Sequence, residues 1–269
     1  MPNPPGRPAS NRPTRDLEEI IWKGGAPPEL NLGGTVLFYP GVGSDWQPPV
    51  KLLGPWINTF VFVDRDLSGI SDYLSRSLLP FNLSTGRPRA VHRIERSVIN
   101  ASLESGRNVE ISWLQMDALE AIEQLDDRIG IFFYRGDSSE GSNLWWLFHT
   151  KPAEGAEGAT DWEDEDEIDP PHRGLFHKVL GRLADGALIV TDGSKGDGDG
   201  TIEPGDPNSY SPISSFLGKR EITPVEAMNE SESFRGPLGH SFECVGCISP
   251  PRQGDKGPVL IWQVRSPSP

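Results

Sequence analysis

Residues 35–45, TVLFYPGVGSD, decide how the chain is read. An apolar run from Thr35 to Tyr39, short enough for a buried strand, meets the turn-former Gly41-Val42-Gly43 and then Asp45. The same grammar recurs in TFVFVDRD (59–66), NVEISWLQMDA (108–118), GIFFYRGDSSEG (130–141) and ALIVTDGS (187–194). Each is an apolar run that stops at Gly or Asp. In open α/β sheets, ligands bind beyond the carboxyl ends of the parallel strands, so polar residues placed there repeatedly outline a site.

The segments between these runs support a crossover pattern. Leu175, Val179, Leu180 and Leu183 fall at helical spacing, and Ala184-Asp185-Gly186 ends that helix before a strand from Ala187 to Val190. Near the end of the chain, HSFECVGCIS (240–249) and PVLIWQV (258–264) flank the turn-forming PPRQGDKG, which predicts an antiparallel hairpin. The expected fold is therefore α/β: a Rossmann-like, mostly parallel sheet with helices on both faces and a C-terminal antiparallel hairpin.

At 269 residues with 35% hydrophobic content, the chain can bury one sizeable core, so residues 16–269 are read as a single domain. Residues 1–15, MPNPPGRPASNRPTR, have no apolar periodicity and are expected to be a disordered tail. A short helix is expected from Arg15 to Lys23, with Leu17, Ile20 and Ile21 on one face. The acidic run DWEDEDEID marks a mobile surface loop near 152–171. The formal net charge of −14 argues against a nucleic-acid partner, which would call for clustered Lys and Arg. With no signal-like start and no apolar run of membrane-spanning length, a membrane association is not expected and the cytoplasm is the default compartment.

The Gly41-Val42-Gly43 turn, Asp64 at the end of the second run and Asp117-Ala118 at the end of the third resemble, in that order, the class I S-adenosylmethionine-dependent methyltransferases. The resemblance spans roughly residues 33 to 265. Tyr39 stands where that family usually has an acid, and Asp45 where it often has a third glycine. The resemblance implies an S-adenosylmethionine cofactor held by Gly41, Gly43, Asp64, Asp117 and Ala118. Asp64, or Asp66 if the strand ends later, would accept from the ribose hydroxyls, Asp117 would accept from the adenine amino group, and the Ala118 backbone would donate. Asp137 and Ser138, after the fourth run, would be the catalytic or substrate-contacting residues. Trp145, Trp146 and Phe148 could line an aromatic pocket for a methyl acceptor, a small molecule or protein that the sequence leaves open.

Plainer roles compete with each of these. The glycines could serve only the turn, Asp64 and Asp117 could cap helices, and Asp137 and Ser138 could satisfy their own turn. A dinucleotide fingerprint needs a third glycine where Trp46 stands, and no Gly-Lys-Ser/Thr phosphate loop exists. Cys244, Cys247 and His240 evoke zinc, but residues three apart on a strand face opposite ways unless a bulge intervenes at Gly246. The loop at Asp197 and Asp199 echoes a calcium loop, but Lys195 takes the first ligand position. Ser138, Asp192 and His240 follow the chain order of an α/β-hydrolase triad, yet Glu140 breaks the small-residue rule around the nucleophile. A methyltransferase-like scaffold without catalysis is the remaining alternative.

Overall fold

The computed structural model describes residues 18–32, 35–43, 46–65, 67, 82–85, 96–103, 105–134, 175–191, 228–229, 233–235, 239–249 and 259–267. The strands are β1 (Glu19–Trp22), β2 (Thr35–Pro40), β3 (Thr59–Asp64), β4 (Asn82–Thr85), β5 (Arg96–Ser102) and β6 (Asn108–Gln115). They continue with β7 (Arg128–Tyr134), β8 (Leu183–Thr191), β9 (Phe234–Arg235), β10 (Ser241–Ser249) and β11 (Val259–Arg265). Among the described residues the helices are α1 (Gln47–Leu53), α2 (Ala118–Glu123) and α3 (Leu175–Arg182). None of them is long and apolar enough to cross a membrane.

All of these strands join one 11-stranded mixed sheet in the order β1-β10-β11-β8-β7-β2-β3-β6-β5-β4, with β9 paired beside β10. Its centre is parallel: β2 pairs with β3 and β7, β3 with β6, and β7 with β8. Numbered by their own sequence, the parallel strands read 3-2-1-4-5, so the order reverses between β2 and β7. That reversal is a topological switch point, the position at which open α/β sheets generally bind their ligands. The expected hairpin is present, with β10 antiparallel to β11 and β11 antiparallel to β8.

Strand alternation divides the buried residues between two clusters. Val36, Phe38, Val61, Val63, Phe132 and Tyr134 enter one cluster, together with Ala121 and Ile122 of α2 and Leu175, Val179 and Leu180 of α3. Leu37, Tyr39, Phe60, Phe62, Ile131 and Phe133 enter the other, together with Val50 and Leu53 of α1. Because strands buried on both sides must be apolar throughout, β2 is buried at every position and β7 at every position after Arg128. The one break in the β7 parity is Gly130. The ladder slips there, so that Ile129 and Ile131 reach different clusters. A Cβ on Gly130 would stand 2.2 Å from the Thr35 hydroxyl, which donates to the Leu32 carbonyl at 2.5 Å. Only glycine leaves room for that contact.

Several expectations are corrected. The stretch expected as a helix from Arg15 to Lys23 contains strand β1 at Glu19–Trp22, paired with the outer edge of β10. A short apolar run fits either structure, and the open ladder of β10 supplies hydrogen bonds that so short a helix could not match. The strand expected from Ala187 starts at Leu183, directly after α3, because Leu183 already pairs with Ile129 before the ladder resumes at Leu188. Beyond β6 the sheet adds the antiparallel strands β5 and β4, which the sequence reading did not anticipate. The expected tail at 1–15 and the acidic loop near 152–171 lie outside the described residues.

Candidate functional site

The turn after β2 is built against the end of β3. Gly41 and Val42 both donate backbone N–H groups to the Val63 carbonyl, at 2.8 and 3.3 Å. Gly43 then donates its N–H to Oδ2 of Asp64 at 2.8 Å. Val42 points inward and is buried, while Gly41 and Gly43 take φ of 67° and 48°, the left-handed region that favours glycine. Among the described residues, a Cβ at either glycine would meet no atom within 4 Å. The backbone favours glycine there, and no described residue occupies the space beside it.

Hydrogen bonds continue along the carboxyl edge from β3 to β6. Met116 donates its N–H to the Asp64 carbonyl at 3.1 Å, and Gln115 Nε2 donates to the Arg65 carbonyl at 3.1 Å. Arg65 reaches across to Asp117, with Nε donating to Oδ2 at 3.1 Å and Nη2 donating to the same oxygen. Asp117 also caps α2, its Oδ1 accepting from the Leu119 N–H at 2.8 Å. Ala118 takes the first position of α2, whose N–H has no partner within an α-helix. Thus Gly41, Gly43, Asp64, Asp117 and Ala118 are brought to the carboxyl edge of three neighbouring strands, linked through Arg65. Asp137, Ser138, Asp66, Trp145, Trp146 and Phe148 lie outside the described residues.

Arg65 is the residue that sequence reasoning missed. Its signal was a cation directly after a strand-ending acid, in VDRD. The Arg65 side chain is 83% exposed and that of Asp117 31%. Burial acts to raise the Asp117 carboxyl's pKa, but the Arg65 hydrogen bond, the Leu119 N–H, the Arg65 charge and the Glu120 N–H together hold it below the ordinary 3.8. A carboxyl whose pKa is depressed on folding stabilises the fold above its unfolded value and loses that contribution as the pH falls through the folded one. Asp117→Ala is therefore expected to cost about 1 kcal/mol at pH 7, mostly as a lost cap because so exposed an ion pair contributes little. The gap between the thermal melts of the two proteins should narrow as the pH drops below 3.8, because protonation weakens the ion pair and the cap. A gap that stays constant would show that charge at Asp117 is immaterial.

Trp46, which stands in place of a third glycine, is buried at the N-terminal end of α1 and meets Trp113 edge to face at 5.5 Å. The ring serves as a spacer between helix and sheet, and Val50 and Leu53 still reach the same cluster. Among the described residues no group of at least three His, Cys, Asp or Glu side chains could hold a metal. For the triad order, β10 is antiparallel to β11 and β11 to β8, so β10 runs parallel to β8. His240 precedes β10 and so lies toward the amino edge, whereas Asp192, outside the described residues, directly follows Thr191 at the carboxyl end of β8. Burial lowers the pKa of His240. The sheet separates this histidine from the end where a nucleophile after β7 would stand.

No protein-family model matches the chain, and no curated protein matches it.

Proposed function

We propose that the chain is an S-adenosylmethionine-dependent methyltransferase that holds its cofactor over the carboxyl ends of β2, β3 and β6. One observation carries the reading: the Gly43 N–H donates to Asp64 at 2.8 Å, joining a glycine turn in the left-handed region to a strand-end acid. A parallel sheet closed by an antiparallel hairpin, with its switch point beside that turn, is the setting the resemblance implies. Helices on both faces belong to the same reading, supported by α1 in one core cluster and α2 and α3 in the other.

The bound cofactor would supply an electrophilic methyl group, so the chain's own task is to bind, orient and exclude water. Gly41 and Gly43 would let backbone approach the amino-acid portion closely. Asp64 would accept from ribose, while Asp117 and the Ala118 N–H would address the adenine edge. The acceptor would enter from the β7 side of the switch point, where Asp137 and Ser138 follow in the chain.

A second reading, a binding or structural protein that keeps the fold without catalysis, is favoured by Asp117. Its oxygens already serve Arg65 and Leu119, so adenine would have to share or displace the arginine. Titration calorimetry on the folded protein with S-adenosylmethionine and S-adenosylhomocysteine separates the two. Saturable one-site heat is the expected result. Heat with neither ligand would favour the scaffold that lacks this cofactor.

A further inference from the structure

We propose that Cys244, Cys247 and Met228 form a binding site for a soft monovalent cation, with Cu(I) as the ion it would take. The site is independent of methyl transfer. A Cys-x-x-Cys pair on a regular strand would turn its side chains to opposite faces. In β10 the ladder slips between Cys244 and Gly246, so that Cys244 faces Trp262 and Cys247 faces Leu260. Trp262 and Leu260 are alternate residues of β11, and both belong to the same core cluster as Cys244, with Cys247 packed against it. The bulge therefore compresses a three-residue spacing into two rungs and brings both thiols to one face.

Two rungs correspond to about 7 Å between Cα atoms, the upper limit for a disulfide, and both cysteines are free. A bridging ion spans such a gap more readily than a sulfur–sulfur bond. Met228 packs against the same cluster and brings its thioether to 3.6 Å from Cys244 Sγ. With metal–sulfur bonds of about 2.3 Å, that separation corresponds to an angle of roughly 100° at a shared ion, within the range of trigonal or tetrahedral coordination.

Ligand softness selects the metal. Two thiols and a thioether suit Cu(I), whereas zinc prefers a closed set of four that includes imidazole or further thiolates. His240 is too distant to complete such a set, because four residues along a strand span roughly 13 Å. Both cysteines start as free thiols. Binding forms two copper–thiolate bonds, breaks two S–H bonds and releases two protons to solvent.

The test presents reduced, full-length protein anaerobically with Cu(I) held by bicinchoninate. The folded protein should withdraw one equivalent and develop a thiolate-to-copper absorption band. Met228→Leu, a volume-conserving change, should weaken competition by about tenfold while leaving the circular dichroism unchanged. Cys247→Ser should abolish the band, and this half-buried position keeps the test usable if Cys244→Ser does not fold. No withdrawal from bicinchoninate, withdrawal that survives Cys247→Ser, or affinity indifferent to Met228→Leu would each overturn the three-sulfur site.

Discussion

Trp113→Ala is expected to destabilise the protein by about 3–5 kcal/mol, a large part of the stability of an ordinary domain. Trp113 is fully buried on β6, packed edge to face on Trp46 at 5.5 Å and against Phe62 at 6.0 Å. Truncation would leave a cavity between sheet and helix that these large neighbours cannot fill without moving α1. Its indole Nε1 is buried and has no hydrogen-bond partner among the described residues, so Trp113→Phe removes volume but no hydrogen bond seen there. The phenylalanine variant should therefore cost less than about 1.5 kcal/mol. Urea denaturation of the three proteins measures both differences. Equal losses in the two variants would show that the indole nitrogen, and not the ring volume, stabilises this part of the core.

Asp64→Ala should weaken S-adenosylmethionine binding by about 1–3 kcal/mol, roughly 5- to 150-fold in Kd. Two effects contribute in the same direction. The ligand loses its ribose acceptor, and the Gly43 N–H loses the carboxylate that holds the turn against β3. Asp64→Asn retains an oxygen able to accept from Gly43, so it should recover part of the loss. Calorimetry with S-adenosylmethionine and S-adenosylhomocysteine, on variants whose circular dichroism matches the parent, reads the effect. Unchanged affinity in Asp64→Ala would remove Asp64 from the site, whereas absence of binding to the parent would remove the cofactor itself.

Strand identity was legible wherever both faces of a strand are buried. Thr35 to Tyr39, Ile129 to Tyr134 and Ala187 to Val190 are nearly continuous apolar runs, and each is a strand of the parallel centre. Edge strands carry no such signature. Glu19–Trp22 alternates between exposed and half-buried positions, with Ile21 45% exposed, and a four-residue segment of that kind also satisfies helical spacing. Its strand conformation is supplied by its partner, β10. β4 and β5 were missed for a related reason: Asn82–Thr85 and Arg96–Ser102 are largely polar, and the ladder is offered to β5 by β6 and to β4 by β5.

The sequence by itself determined which residues stand at strand ends. Gly41, Gly43, Asp64 and Asp117 each follow an apolar run, because burial terminates where the chain must turn and meet water. Tertiary structure alone decided what those residues do to one another. The Gly43 to Asp64 bond spans 21 positions and the Arg65 to Asp117 pair spans 52, separations over which local periodicity carries no information. The same holds for Cys244 and Cys247. Strand parity assigns them to opposite faces, and only the pairing of β10 with β11 shows the extra residue that turns them to one. A bulge is a mismatch between two strands, so neither strand's sequence contains it alone.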